Sequence, residues 1–147
     1  MPNTVSIGLA QILGEPLSPE KNRHRTVAAA AEAFERGADI VVLPEMIVQG
    51  FVPDWRAMAP LAEPLLGPTV TAWKELAAES GGYLVGGLCE RDGEALYNTA
   101  VAVGPEGVLL HYRKLHLFGE EKVCFRAGNL GLPVAPTRFG VIGVCVC

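Results

Sequence analysis

The spacing of hydrophobic positions changes several times along the chain, and each change marks an element. Thr4–Ile12 is β-prone and partly alternating, which predicts a first strand. Ser18-Pro19-Glu20 predicts a helix start: a capping hydroxyl, then proline at the first helical position, then an acid in the first turn. Val27, Ala30, Ala31 and Phe34 recur at helical spacing and give that helix one apolar face. Gly37 stands where a left-handed residue closes a helix. Asp39-Ile40-Val41-Val42-Leu43-Pro44 follows as a continuous apolar run, the mark of a strand buried on both faces. Together these segments have the length that a parallel strand–helix–strand crossover needs.

The proline-rich stretch from Phe51 to Gly67 predicts an irregular connection with one short helix. A second helix is expected over Pro68–Ser80, with Val70, Trp73, Leu76 and Ala77 on one face and Gly81-Gly82 ending it. Tyr83–Leu88 predicts a third strand. Tyr97–Val103 and Val108–Arg113 flank Gly104-Pro105-Glu106-Gly107, which predicts an antiparallel hairpin. Leu115–Pro136 has little periodicity and reads as a long connection, a kind of segment that is often functional. Gly140–Cys147 is expected to be a last buried strand. The pattern shows no internal repeat and no domain boundary within residues 1–147.

Composition narrows the function classes. Half of the 147 residues are hydrophobic and 19% are charged, which suits a globular core and not a disordered tail. The formal net charge of -4 comes without any basic stripe, so nucleic-acid binding is not expected. Met1-Pro2-Asn3-Thr4 shows no secretory signal, and the apolar runs are too short to span a bilayer, so no membrane association and a cytoplasmic location are expected. In such a reducing compartment Cys89, Cys124, Cys145 and Cys147 are expected as free thiols. Neither the cysteines nor His24, His111 and His116 have metal-ligand spacing, so no metal is expected.

Three strands run into a chemically active residue. Asp39–Pro44 leads to Glu45, Val108–Arg113 to Lys114, and Gly140–Val146 to Cys147. In open α/β sheets, ligands bind outside the carboxyl ends of the strands, where loops diverge. A thiol needs a base or a cationic neighbour to become a nucleophile. A shielded carboxylate can take the proton, and an ammonium can stabilise the negative charge that develops on attack. Each residue also admits a plain reading. Glu45 would be a solvated residue after a strand, Lys114 a surface lysine, and Cys147 an inert buried thiol. Cys145 and Cys147 share one face of a strand, but Cys147 lies nearer its carboxyl end, so Cys145 is expected to be core packing.

At these residues the sequence resembles the nitrilase superfamily of carbon–nitrogen hydrolases, over its whole length. The resemblance rests on four segments in order. They are Leu43-Pro44-Glu45, Leu96-Tyr97-Asn98-Thr99-Ala100, Tyr112-Arg113-Lys114-Leu115-His116-Leu117-Phe118, and Gly140-Val141-Ile142-Gly143 leading to Cys147. It implies an α-β-β-α sandwich of which this chain is the first half, so that the carbon–nitrogen hydrolase domain over 1–147 is incomplete at its C-terminus. It implies a Glu45-Lys114-Cys147 triad, with Glu121 of Glu121-Lys122-Val123-Cys124-Phe125 as a second glutamate. Gly143, four residues before Cys147, supports that choice of nucleophile.

The implied activity is hydrolysis of a small linear amide through a cysteine thioester, releasing ammonia and a carboxylic acid, without a metal or organic cofactor. N-carbamoyl hydrolase, nitrilase and acyltransferase activities are the alternatives within the family, and a non-catalytic interaction module of the same fold is the alternative outside enzymology. Phe51 and Tyr97 are expected to line the substrate pocket, with Trp55 as another candidate. The resemblance also implies a homo-oligomer.

Overall fold

In the computed structural model, which describes residues 4–52 and 54–147, the first crossover forms as the hydrophobic pattern predicts. Strand β1 (Ile7–Leu9) and strand β2 (Ile40–Val42) pair in parallel, joined by helix α1 (Pro19–Glu35). Met1-Pro2-Asn3, on which the reading of the leader rested, lies outside the described residues. β1 is shorter than the predicted Thr4–Ile12 because its only ladder partner, β2, is itself three residues long. Gly37 has a φ of +90° just beyond the helix, as expected.

Two details of α1 depart from expectation. Ser18 makes no side-chain cap; its hydroxyl donates to Glu15 Oε1 and to the Pro16 carbonyl instead. Local acceptors have outcompeted the capping geometry, a usual rivalry for serine. The buried stripe of α1 is Asn22, Thr26 and Ala30, with Val27 and Phe34 only partly buried beside it. Polar groups therefore dock this helix. Asn22 accepts from Glu15 N at 2.7 Å and donates to the carbonyls of Glu15 and Val48 at 2.7 and 3.0 Å. Thr26 Oγ1 accepts from the indole of Trp73 at 3.0 Å.

A 3₁₀ helix, Trp55–Leu61, fills the proline-rich connection, and helix α2 spans Pro68–Ser80 with Thr69, Val70, Trp73 and Ala77 buried. The chain then runs through β3 (Tyr83–Asp92), β4 (Ala95–Gly104) and β5 (Gly107–Arg113) as an antiparallel meander. The second hairpin was expected. The first, turning at Gly93-Glu94 with a φ of +57° at Gly93, was not, although glycine at the first position of a two-residue loop is a turn signal.

The strand order is β1-β2-β3-β4-β5. Only β4 runs against the others, so the carboxyl ends of β2, β3 and β5 lie on the same edge as the amino end of β4. One face of this sheet carries Val41, Leu84, Leu88, Val101 and Val103 against α1 and α2, with Trp73 fully buried between. The other face carries Val85, Ala102 and Leu110. It packs on Ala135 and Ile142 of a second, two-stranded sheet, β6 (Val134–Thr137) and β7 (Gly140–Gly143). Helices, first sheet and second sheet thus form three successive layers of the expected sandwich.

The expected buried strand Gly140–Cys147 is corrected in two respects. β7 stops at Gly143, and neither it nor the residues after it are buried. Ile142 and Val144 pack inward, while Val141, Cys145 and Cys147 are exposed. Cys145 is therefore not core packing, because only alternate residues of this short ribbon face the first sheet. Ile7, Leu9, Leu132 and Val134 are exposed too. Among the described residues, no helix is long and apolar enough to cross a membrane.

Trp73 links α2 to both the sheet and α1. Trp73→Ala is expected to lower stability by about 3–5 kcal/mol, the usual cost of emptying a buried aromatic site. The midpoint of urea unfolding checks this.

Candidate functional site

The mixed sheet brings Glu45 and Lys114 to one edge, as the strand ends suggested. Glu45 follows β2 by way of Leu43-Pro44, and Lys114 directly follows β5. Side chains alternate along a strand, so Lys114 projects to the face opposite that of Arg113. The loop after β2 crosses the sheet on the same face, directly over Gly87. A methyl group at Gly87 would lie 2.6 Å from Met46 N and 3.0 Å from Glu45 Cα. Glycine at this position lets Glu45 reach past β3 to β4.

Lys114 is buried, with 4% of its side chain exposed. Its ammonium lies 3.0 Å from Glu45 Oε1 and 3.0 Å from Glu121 Oε1. Burial alone would lower the proton affinity of this lysine, but the two carboxylates outweigh it and hold Lys114 above the ordinary lysine value. It is therefore a fixed cation and not a base. Glu121 is also buried and opens the short helix α3 (Glu121–Cys124) inside the predicted long connection. Its second oxygen accepts from Phe118 N at 2.8 Å. Its neighbour Glu120 is exposed.

The backbone of Lys114 is pinned on both sides. Its N–H donates to the Asn98 carbonyl at 2.8 Å, and its carbonyl accepts from Gly128 N at 2.8 Å. A Cβ at Gly128 would collide with the Arg113 carbonyl, so only glycine permits this approach. On the opposite face of the sheet, Arg113 holds Glu90 through two nitrogens, at 3.0 and 2.6 Å. Glu90 also receives Thr99 at 2.6 Å and His111 at 2.8 Å, and Arg113 reaches Asp92 and Asn129. Burial would raise the Glu90 carboxyl, but these hydrogen bonds prevail and hold it at about 2. Arg113 is held above its ordinary value, chiefly by its hydrogen bonds to Glu90.

The remaining sequence candidates fall elsewhere. Tyr97 lies on the Arg113 face, buried, with the guanidinium 3.9 Å above its ring, so the structure does not bring it to Lys114. Strand alternation puts Tyr97 and Asn98 on opposite faces, and Asn98 is the one that reaches the site. Phe51 is exposed and packs edge-on against Trp55 at 4.8 Å, which meets Phe125 at 5.6 Å. That aromatic row borders α3. Cys147 is exposed, with a positive φ of 72°, and no hydrogen bond joins it to Glu45, Lys114 or Glu121 among the described residues. Met46, directly after Glu45, is another non-glycine residue with positive φ, at 52°. Such conformations are uncommon and gather at functional sites.

Sequence reasoning missed Asn98, which is fully buried and donates to Glu45 Oε1 at 2.7 Å and toward Glu121 Oε1 at 3.4 Å. The available signal was an amide standing in an otherwise apolar strand. Among the described residues, no group of three His, Cys, Asp or Glu side chains is arranged to hold a metal ion.

Two predictions follow from this geometry. Gly87→Ala is expected to destabilise by about 1–3 kcal/mol, as overpacking does, and to separate Glu45 from Lys114. A crystal structure of the variant checks the displacement. Glu90 has a folded value below the ordinary 4.5, so its stabilisation is complete above that value and is lost as the pH falls toward about 2. Acid unfolding is expected to show this loss, with a shallower slope in Glu90→Gln.

Residues 6–147 match the family model described as Carbon-nitrogen hydrolase. The chain is 38% identical over 145 residues to a nitrilase of Pyrococcus abyssi, covering 97% of this chain and 55% of that protein. It is 33% identical over 151 residues to an omega-amidase of Xenopus tropicalis, covering 96% and 54%. The chain thus spans about half the length of the relatives it matches. Its fold resembles that of a mutant amidase from Nesterenkonia sp. showing Michael addition of acrylamide at the active site cysteine. The TM-score is 0.87 at 29% identity, over 98% of this chain and 57% of that one. The α/β architecture is that of the nitrilase superfamily, and the chain belongs to its carbon–nitrogen hydrolases.

Proposed function

We propose that the protein carrying this chain hydrolyses the C–N bond of a small linear amide, with Cys147 as nucleophile, Glu45 as general base and acid, and Lys114 as the electrostatic stabiliser. The observation that carries this reading is the buried Lys114 ammonium, 3.0 Å from each of two carboxylates. An ammonium has three donors. Glu45 and Glu121 take two, and the third is available to a substrate oxygen.

The reaction then runs in two halves. Glu45 takes the thiol proton as the Cys147 sulfur bonds to the substrate carbon, and Lys114 neutralises the oxyanion that forms. The intermediate collapses, the C–N bond breaks, and the proton on Glu45 passes to the leaving nitrogen. A thioester remains on Cys147. Water adds to it as Glu45 takes one of its protons, the C–S bond breaks, and the proton returns to the thiolate as the carboxylic acid leaves. Glu121 keeps Lys114 in place and does not shuttle protons.

Three further features support the reading. The chain belongs to the carbon–nitrogen hydrolases, and an amidase with a similar fold carries an active site cysteine. Glu45 is part-exposed, so its carboxylate is open to a thiol or a water. Phe51, Trp55 and Phe125 provide an apolar border beside α3 suited to a small organic group.

In the complete polypeptide, Cys147→Ala is expected to reduce ammonia release by roughly 10³-fold or more with an unchanged unfolding midpoint. Retention of a tenth of the activity would overturn the assignment. A panel of amides, carbamoyl compounds and nitriles separates the amide reading from its relatives. Iodoacetamide should label Cys147 far faster than Cys89, whose thiol burial pushes up to about 12.

A further inference from the structure

Asn98 is fully buried between the two glutamates, yet the reaction steps do not use it. Its Nδ2 lies 2.7 Å from Glu45 Oε1 and 3.4 Å from Glu121 Oε1. Its Oδ1 is buried without a hydrogen-bond partner among the described residues. Turning the amide over would not help, because it would press the carbonyl oxygen against a carboxylate oxygen at 2.7 Å. The orientation is therefore set by the carboxylates. An unpaired buried acceptor is costly, and a leucine of similar size would avoid that cost. The site retains the amide for its donor.

The consequence falls on Glu45. Its Oε1 accepts from both Asn98 Nδ2 at 2.7 Å and Lys114 Nζ at 3.0 Å. Its Oε2 accepts from no donor among the described residues. A carboxylate oxygen that already receives two hydrogen bonds, one from a cation, is a poor proton acceptor. The free oxygen is the better one. We propose that Asn98 is a positioning residue that locks Glu45 through Oε1, so that Oε2 alone carries the proton between thiol, leaving nitrogen and water. The same amide fixes the partition of Lys114 between the two glutamates, since its Nδ2 faces both and its carbonyl holds the Lys114 N–H. This inference rests on Glu45 acting as the base in C–N hydrolysis.

The test uses the complete polypeptide and two near-isosteric variants. Asn98→Leu removes the donor without adding charge, and kcat is expected to fall about 10²-fold with KM changed little, the scale of general acid–base catalysis. Asn98→Asp places a third carboxyl beside two others. Ionised, it cannot donate and it repels Glu45; protonated, it donates as the amide did. The ratio of its kcat to that of the unmodified enzyme is therefore expected to rise as the pH falls. The Asn98→Leu ratio is not expected to rise as the pH falls, because losing a donor to the ionised Glu45 carboxylate favours its protonation. A merely structural role would lower the unfolding midpoint and leave the kcat of folded Asn98→Leu unchanged, and that result would overturn the proposal, since unfolding midpoints are measured beside the rates. Unmodified enzyme that is active while Asn98→Leu keeps full kcat overturns the role of Asn98 alone. Unmodified enzyme that turns over no amide, carbamoyl compound or nitrile overturns the hydrolase reading, and the role of Asn98 falls with it.

Discussion

A lysine ammonium buried at the end of a sheet is the constraint around which this chain is arranged. Removing an unpaired ammonium from water costs several kcal/mol, and a lone lysine would shed its proton instead. Lys114 keeps its proton because Glu45 and Glu121 stand on either side of it, each 3.0 Å away. The two come from different parts of the chain: Glu45 follows β2, far back in the sequence, and Glu121 opens α3, seven residues after the lysine. The loop after β2, the turn before α3 and the end of β5 must therefore all be in place before the ion pair exists. Gly87 and Gly128 are the two points where backbone must pass close enough for that to happen.

The opposite face of the sheet supports the same position. Arg113, one residue before Lys114, is bound to Glu90, Asp92 and Asn129, while Glu90 also accepts from Thr99 and His111. This network is satisfied on every side, which is the condition under which buried charge is tolerated. It fixes the end of β5 from below as Asn98 and Gly128 fix it through the backbone. A buried polar cluster on one face thus holds a buried, ion-paired lysine on the other, through the alternation of a single strand.

Docking of the outer helices follows the same logic on a smaller scale. α1 does not lean on its most apolar stripe. Asn22 and Thr26 face inward, bonded to the Glu15 and Val48 carbonyls and to the Trp73 indole. Directional bonds orient the helix, and Ala30 lets it approach closely. Packing of Trp73 over Gly86 completes that contact, because glycine leaves room for the indole on the sheet.

Local pattern determined a good deal of this. The crossover, the full extent of α2, the β4–β5 hairpin, and the positions of Glu45 and Lys114 at strand ends were all legible, since each depends on periodicity or turn chemistry within a few residues. Family resemblance added Glu121, which no local rule would single out. The rest depended on tertiary contacts. Tyr97 and Asn98 are neighbours in sequence, and only the register of β4 between β3 and β5 decides that Asn98 meets the glutamates while Tyr97 lies under Arg113. Gly140–Cys147 has the apolar character of a buried strand, yet whether such a strand is buried depends on what lies beside it, and here β7 pairs only with β6. A sequence specifies which side chains can share a face; the pairing of strands far apart in the chain decides which face they share, and with whom.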